Sequence, residues 1–265
     1  RWSDAAILEE HAFALQLQEA EISVVTPLDI NGQTLFSHEG YRFALFPRQG
    51  GHPPNLENED DLEVLARTLA RMHAFGATRP FEHRRSLSVK LMGWDARDFL
   101  LANNFISPDV RQAYETTTQD LLTRINPLFE NLAGQRIHGD CHMGNVLWRD
   151  DTPHFVDFDD CVMGPPIQDI WMLLSGERED QTYQLSIILD AYQEFHDFNT
   201  NTLNLIEPLR TLRMIHHAAW IGRRWDDPAF PMAFPTFDSS RFWSDHLLGL
   251  REQQAKLDEP ILTYM

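Results

Sequence analysis

Two neighbouring polar segments, residues 136–148 and 154–160, constrain the chain more than any other feature. The first holds Asp140 two residues after a histidine, and Asn145 follows after four more residues. The second is a short apolar run that ends at Asp157. A carboxylate can accept a proton, and amide and carboxylate oxygens are ligands that Mg²⁺ prefers. We therefore expect the fold to bring these three side chains into one site.

The spacing of these residues is that of a kinase catalytic loop and the metal-binding aspartate that follows it. Phosphoryl transfer needs a carboxylate that accepts the proton of the attacking hydroxyl group. It also needs oxygen ligands that hold Mg²⁺ against the phosphates of the nucleotide. Asp140 suits the first task, and Asn145 and Asp157 suit the second. The pattern therefore predicts a phosphotransferase that uses Mg²⁺.

A metallohydrolase is an alternative of a different class. The His-x-Asp-x-His string at residues 138–142 has a spacing that metal clusters also show. A zinc centre would need another ligand, and the histidines at residues 216–217 are the obvious candidates. Adjacent residues of a helix point about 100° apart, so these two cannot share one face. Asn145 and Asp157 favour phosphoryl transfer, because hard oxygen ligands suit Mg²⁺.

Composition excludes some functions and suggests a compartment. The chain has 265 residues, of which 43% are hydrophobic and 23% charged, as expected for a folded protein. Its formal net charge of −18 argues against non-specific binding to nucleic acid or to an acidic membrane surface. It has two cysteines, no signal-like start and no run of 18 apolar residues. We expect a cytoplasmic protein and, by default, a monomer.

Hydrophobic periodicity predicts a small part with strands and a larger helical part. A helix is predicted over residues 3–19, a strand-turn-strand unit over 24–35 around an Asn-Gly turn, and a third strand over 41–46. The prediction is a bilobal α+β fold, with an incomplete antiparallel N-lobe at 1–47 and a mainly helical C-lobe at 48–265. Further helical patterns lie at residues 60–75, 108–132, 181–195, 203–225 and 239–257.

Glu10 lies on the apolar face of the predicted first helix. A kinase has a glutamate in this helix that pairs with the phosphate-binding lysine, which would make Glu10 a nucleotide-site residue. A solvated glutamate at the edge of the face is the simpler explanation, and Glu9 is a competing candidate. The chain has no glycine-rich phosphate loop, and its two lysines, Lys90 and Lys256, both follow the predicted strands. We therefore expect a phosphate-contacting turn and lysine to precede residue 1.

Three positions in or near the predicted catalytic loop bear on how the enzyme would be regulated and how the loop would be held. Gly139 stands where protein kinases have an arginine that pairs with a phosphorylated activation loop, and only eleven residues separate Asp157 from Asp169. The pattern predicts an enzyme that is active without phosphorylation of such a loop. Asp169 caps a helix, and in a kinase it would also accept N–H bonds from the catalytic loop. His142 either donates a hydrogen bond to the transferred phosphoryl group or only packs against its neighbours.

These residues make the chain similar to the aminoglycoside phosphotransferase and choline kinase superfamily, whose fold is protein-kinase-like. The spacing of Asp140, Asn145 and Asp157 carries the resemblance. Longer strings extend it, along the whole chain, to a bacterial branch of stress-linked kinases. These strings lie at residues 9–17, 31–35, 138–150, 168–174 and 223–231.

The resemblance implies an ATP- and Mg²⁺-dependent serine/threonine protein kinase that is linked to bacterial stress survival and phosphorylates itself. It makes Asp140 the proton acceptor and Asp157 a second active-site residue, with Asn145 and Asp157 as the Mg²⁺ ligands. It also implies that the carbonyl of Phe46 and the N–H of Arg48 meet the adenine edge. The implied partners are ATP and proteins with seryl or threonyl hydroxyl groups.

Two alternatives stay open within this class of fold. The motif is shared with kinases of small molecules, so the substrate could be a small alcohol or an amino sugar, and the negative charge suits a cationic one. An inactive ATP-binding regulator would keep the nucleotide site without transferring phosphate. The sequence does not identify the physiological substrates or the regulating signal.

Overall fold

The first helix forms as the sequence predicts. In this computed structural model, which describes residues 2–264, helix α1 spans Asp4–Glu19. Ser3 caps it, because its hydroxyl oxygen accepts the third N–H of the first turn at 3.2 Å. Phe13 and Leu17 are buried on one face of the helix. The burial of this face holds α1 against the rest of the first part of the chain.

A short antiparallel hairpin follows α1. Strand β1 spans Phe36–His38 and strand β2 spans Tyr41–Phe43, so the strand predicted over residues 41–46 ends early. Phe36 pairs with Phe43 across the hairpin, and the two rings lie 5.6 Å apart. The turn falls at the Glu-Gly pair of residues 39–40, where both residues have positive φ.

The prediction of a strand-turn-strand unit around the Asn-Gly pair was right about the turn and wrong about the two strands. Residues 31–32 do form a turn with positive φ, but a single bridge between Ile30 and Gln33 closes it. The apolar residues before the turn pair elsewhere, because Val24 bridges to Phe155. A pairing partner more than a hundred residues away therefore outweighs the local hairpin signal.

The two polar segments are held by two further antiparallel pairs. Strand β3 (Gln135–Ile137) pairs with β6 (Val162–Gly164), and β4 (Val146–Arg149) pairs with β5 (Thr152–Phe155). The residues between β3 and β4 form the predicted catalytic loop. The short helix α5, Ile167–Trp171, follows β6 at once.

Helices α2 (Glu59–Gly76) and α6 (Arg178–Tyr192) pack on each other in the same part of the molecule. Leu62, Leu65 and Leu69 lie on the buried face of α2 and are almost completely inaccessible. Both helices lie within a few residues of their predicted bounds.

A second group of helices builds its own apolar core. Its members pack around the buried residues Leu122, Leu212 and Trp243. Gly93 allows close packing here, because a Cβ at this position would lie 2.4 Å from a Leu122 methyl carbon. A π-helical turn precedes the first of these helices. They are α3 (Asp95–Ala102), α4 (Pro108–Ile125), α7 (Ile206–Gly222), α8 (Ala229–Ala233) and α9 (Ser240–Lys256).

The described chain divides into two compact units. The first comprises residues 2–86, 133–203 and 262–264, and the second comprises 87–132 and 204–261. The predicted lobe boundary after residue 47 is a different division and stays a prediction. No helix within the described residues has both the length and the apolar composition that crossing a bilayer requires.

Candidate active site

The loop between β3 and β4 is fixed by His138. Its Nε2 donates to the carbonyl oxygen of Val156 at 2.8 Å, and its Nδ1 accepts the N–H of Asp140 at 3.3 Å. The ring is fully buried and packs on Phe158, with the ring centroids 4.6 Å apart. His138 therefore connects the loop that carries Asp140 to the segment that leads from β5 to Asp157.

Asn145 lies at the other end of this loop and faces Asp140. Its side-chain nitrogen donates to the backbone carbonyl of Asp140 at 2.9 Å and lies 3.5 Å from a carboxylate oxygen of the same residue. Its backbone carbonyl accepts the N–H of Val156 at 3.0 Å. Because the amide nitrogen is turned to Asp140, the amide oxygen is left as an acceptor.

Asp157 lies two residues after the end of β5 and has a left-handed backbone, with φ 61° and ψ 62°. A residue other than glycine rarely adopts this conformation, and such strain is concentrated at functional sites. The Asp157 carboxylate is exposed and has no hydrogen-bond or ion-pair partner within residues 2–264. Both of its oxygens are therefore available to a cation.

A cavity of about 730 Å³ opens beside Asp157. It brings together three of the predicted site residues, namely Glu10, Phe46 and Asp157. Arg48, Asp140 and Asn145 are not among its lining residues in the described chain. Its apolar lining includes Val25, Leu35, Leu147 and Val156, and its polar lining includes His11, Gln49 and Asp159.

His11 is a cavity residue that the sequence did not single out. Its Nδ1 lies 2.8 Å from the hydroxyl oxygen of Thr34, and its ring packs edge-on against Phe46. Burial, with a smaller contribution from the charge of Arg84, lowers the pKa of His11. The ring is therefore neutral at neutral pH and adds no positive charge to the cavity.

The buried carboxylate of Asp169 anchors the loop. Its two oxygens accept the backbone N–H groups of His138 and Gly139, both at 2.8 Å, and one oxygen also lies 3.0 Å from Nε2 of His73. The predicted bonds from the loop to Asp169 are confirmed. His73 is a structural histidine, because its other nitrogen lies 2.9 Å from the hydroxyl of Tyr192.

Gln168 is a second anchor, which sequence reasoning missed. Its amide nitrogen donates to the carbonyl of Gly139 at 2.9 Å, and its amide oxygen accepts the indole N–H of Trp171 at 3.1 Å. Gly139 has φ +83°, a conformation that glycine adopts without strain, and Gln168 adds a side-chain contact at this point of the loop. The signal in the sequence was only that Gln168 lies next to Asp169.

The two glutamates of α1 have different tasks. Glu10 is 8% exposed, lines the cavity and lies 3.4 Å from the guanidinium of Arg84. Glu9 is turned away and accepts backbone N–H groups of residues 82–84. This placement favours Glu10 over Glu9 as the predicted nucleotide-site glutamate, and that role stays a prediction.

The neighbours of Asp140 differ in accessibility and chemistry. The Nδ1 of His142 accepts the N–H of Gly144 at 2.9 Å, which leaves the proton on Nε2, and Nε2 lies 3.5 Å from a carboxylate oxygen of Asp140. Cys141 is completely buried, and burial raises the pKa of its thiol well above the usual range. Cys161 is buried in the same way, so neither thiol is a nucleophile here.

The structure also bears on the metallohydrolase alternative. Among residues 2–264, no group of three or more His, Cys, Asp and Glu side chains is arranged to hold a metal ion. A zinc centre would need such a group. A Mg²⁺ ion that shares its coordination with nucleotide phosphates needs only one or two protein oxygens, as Asn145 and Asp157 could supply.

Solved structures of small-molecule kinases have this fold. Amicoumacin kinase hAmiN, in complex with AMP-PNP, Ca²⁺ and Ami, matches with a TM-score of 0.73 at 18% identity, over 99% of this chain and 80% of that one. A microcompartment-associated aminopropanol kinase matches with a TM-score of 0.61 at 19% identity, over 94% and 84%. The fold is therefore that of the kinase-like phosphotransferases, and the predicted α+β kinase-like class is confirmed.

Sequence comparison narrows this class. Residues 1–203 match the phosphotransferase enzyme family, and the chain belongs to that family of enzymes. It is 41% identical to stress response kinase A of Escherichia coli K12 over 263 residues, which are 99% of this chain and 80% of that protein. It is 42% identical, over the same shares, to serine/threonine protein kinase RdoA of Salmonella typhimurium. The resemblance to bacterial stress response kinase A is confirmed.

Proposed function

We propose that this enzyme transfers the γ-phosphoryl group of ATP to seryl and threonyl hydroxyl groups of proteins, its own included, with Mg²⁺ as the metal. The observation that carries the proposal is the contact between Asn145 and Asp140 at the two ends of one loop. The backbone carbonyl of Asn145 also accepts a hydrogen bond from Val156, the residue before Asp157. A proton acceptor and two oxygen donors are thus held on adjoining segments, as phosphoryl transfer requires.

The cavity supports a nucleotide as the ligand. Its volume of about 730 Å³ falls in the range of about 300–1,000 Å³ that is usual for small-molecule sites. Apolar side chains such as Val25 and Leu147 suit the faces of a purine ring. In the proposal, the carbonyl of Phe46 and the N–H of Arg48 meet the adenine edge, and Glu10 lies on the phosphate side.

The donor set supports Mg²⁺. The Asn145 amide turns its nitrogen to Asp140, so its oxygen is left for a cation, and the Asp157 carboxylate has no partner in the described chain. Both are hard oxygen donors. When bound, Mg²⁺ would neutralise phosphate charge and so lower the barrier to transfer.

Asp140 acts as the proton acceptor in the proposal. Its carboxylate is held by Asn145 on one side and by His142 on the other. A carboxylate fixed in this way orients the attacking hydroxyl group and takes its proton as the bond to phosphorus forms. The proton on Nε2 of His142 can then form a hydrogen bond to the transferred group.

The class of substrate rests on the relatives. Two relatives at 41–42% identity are named a stress response kinase and a serine/threonine protein kinase, which supports protein substrates and a role in stress survival. The solved structures at 18–19% identity include kinases of small molecules, and the net charge of −18 would suit a cationic one. We favour protein substrates because the relatives are closer. We also propose a cytoplasmic monomer that binds no nucleic acid.

The test is a transfer assay with γ-labelled ATP and the full-length protein. One set of reactions offers the enzyme itself and a serine- and threonine-rich protein, and a second set offers small alcohols and amino sugars. We expect label in protein, on serine and threonine, that disappears when EDTA removes Mg²⁺. Label only in the small compounds would establish the alternative substrate class. ATP binding with no transfer to any acceptor would contradict the proposal and indicate a regulator.

A further inference from the structure

We infer that Arg84 is a positioning residue that holds the segment after Asp157, and that it thereby sets the affinity of the enzyme for its metal–nucleotide complex. Arg84 does not touch the reacting groups, and the sequence did not identify it. The inference rests on the proposed role of Asp157 as a metal ligand.

The Arg84 side chain is completely buried and reaches two carbonyl groups of this segment. Its Nε donates to the carbonyl of Cys161 at 2.8 Å, and its Nη2 donates to the carbonyl of Asp159. Its Nη1 lies 3.4 Å from both the carbonyl of Ala6 and a carboxylate oxygen of Glu10. One guanidinium therefore links helix α1 to the short turn that begins right after Asp157.

The backbone of Arg84 is itself held in place. The Glu9 carboxylate accepts the N–H groups of His83 and Arg84, both at 2.8 Å. The Trp2 ring lies over the guanidinium, with the ring centroid 4.2 Å from the central carbon. A cation between an aromatic face and a carboxylate has little freedom to move. The arginine can therefore act as a fixed support.

The supported segment has two neighbours in the active site. It follows Asp157 directly, and the left-handed backbone of Asp157 needs support from its surroundings. It also touches the catalytic loop, because a Cβ on Gly139 would lie 2.4 Å from the carbonyl oxygen of Asp160. If the carbonyls of Asp159 and Cys161 lost their donor, the segment would shift, and the metal ligand would shift with it.

The geometry also explains why the residue is an arginine. A guanidinium carries five N–H groups in a plane and can bond to several acceptors at once, whereas an ammonium is a point charge on a flexible stem. Arg84→Lys keeps the charge beside Glu10 but cannot reach both carbonyls in the same way. Arg84→Met removes the charge and keeps most of the apolar length.

The experiment uses both variants and a matched control. Arg85 is the neighbouring arginine; its side chain is exposed and lies 5.1 Å from the centroid of the Trp2 ring, and within residues 2–264 it makes no hydrogen bond or ion pair to the segment. Arg85→Met therefore removes the same charge from the same stretch. Each protein is titrated with Mg²⁺ at saturating AMP-PNP and followed by the rise in melting temperature. In a second titration, AMP-PNP is added in the presence of EDTA, which gives the affinity for the nucleotide without the metal.

Supporting groups behind a metal ligand affect metal affinity by about 10- to 100-fold. We expect Arg84→Met to weaken the apparent affinity for Mg²⁺ by at least about tenfold, and Arg84→Lys to weaken it less. Affinity for AMP-PNP in EDTA should change less than affinity for Mg²⁺ in both variants, because the proposed adenine contacts at Phe46 and Arg48 are not among the partners of Arg84. Arg85→Met should match the wild type in both titrations.

Two outcomes would overturn the inference, and they can be told apart. If both Arg84 variants bind Mg²⁺ like Arg85→Met while the wild type responds to the metal, the inference alone is wrong. If the wild type gives no Mg²⁺-dependent rise in melting temperature, the proposed metal site is wrong, and the inference with it. Should Arg84→Met fail to fold, the test rests on Arg84→Lys, which keeps the buried charge paired with Glu10. Weaker Mg²⁺ binding by Arg84→Lys than by Arg85→Met supports the inference, and equal binding overturns it.

Discussion

The Nε2 of His73 lies 3.0 Å from a carboxylate oxygen of Asp169, and both side chains are completely inaccessible to solvent. The same carboxylate accepts the N–H groups of His138 and Gly139. Helix α2, which carries His73, is thereby connected to the loop that carries Asp140. The position of the proposed catalytic residue depends on this buried contact.

Asp169→Asn should destabilise the protein and slow transfer. An asparagine has one acceptor oxygen in place of two, and its NH₂ group would face a donor that already points at it. We expect the free energy of unfolding to fall by about 2–4 kcal/mol, because buried donors lose their acceptor. Urea unfolding and the rate of phosphate transfer measure the two effects. Asp190→Asn, on the exposed face of α6, is the control and should change neither.

Gly139→Ala tests the packing of the catalytic loop. Gly139 has φ +83°, and a Cβ would lie 2.4 Å from the carbonyl oxygen of Asp160. Gly32 has φ +82° with nothing within 4 Å of a Cβ, so Gly32→Ala carries the backbone strain alone. The strain should cost about 1–2 kcal/mol in each variant.

The clash should add at least about 1 kcal/mol for Gly139→Ala and displace Asp140. We therefore expect slower transfer for Gly139→Ala and an unchanged rate for Gly32→Ala. Equal stability and equal activity of the two variants would show that the close approach to Asp160 has no effect.

The stability of the protein should depend on pH through His246. Burial, with a contribution from the charge of His217, lowers the pKa of His246 to about 4, and its Nε2 has no partner in the described chain. Below pH 6.5 the unfolded chain binds a proton at this ring that the folded protein does not accept until about pH 4. The free energy of unfolding should therefore fall as the pH drops from 6.5 to 4, by about 3 kcal/mol.

His246→Phe isolates this effect, because phenylalanine keeps a ring against Tyr114 and Phe242 and cannot take up a proton. Urea unfolding between pH 7 and pH 4, followed by tryptophan fluorescence, gives the two stability curves. His11 and His196 also have lowered pKa values and remain in both proteins. The variant should lose less stability than the wild type over this range. Parallel curves would contradict the assignment.

Sequence reasoning succeeded where a structure follows from local spacing. Helix α1 spans Asp4–Glu19, within one residue of the predicted range 3–19, and the bonds from the catalytic loop to Asp169 were predicted from its place in the motif. The family could be identified because Asp140, Asn145 and Asp157 stand at a spacing that one chemistry requires. Such features depend on residues close together in the chain, or on the chemistry itself.

Sequence reasoning failed where partners are far apart in the chain. The contact of Arg84 with Cys161 joins residues 77 positions apart, and no periodicity indicates it. Val24 pairs with Phe155, which the hairpin signal near residue 31 concealed. Gly139 is explained by its positive φ and its contact with Asp160, so the inference about loop phosphorylation now rests on the short spacing to Asp169 alone.

Asp140→Asn tests the central claim most directly. The full-length wild type, Asp140→Asn and the control Asp151→Asn are compared in transfer of label from γ-labelled ATP to protein, with nucleotide affinity measured alongside. Asp151 is an exposed turn residue with φ +55°, which asparagine tolerates. We predict that Asp140→Asn loses about 10²- to 10⁴-fold in rate while it binds nucleotide as the wild type does, and that the control is unaffected. Transfer by Asp140→Asn at the wild-type rate would contradict the account.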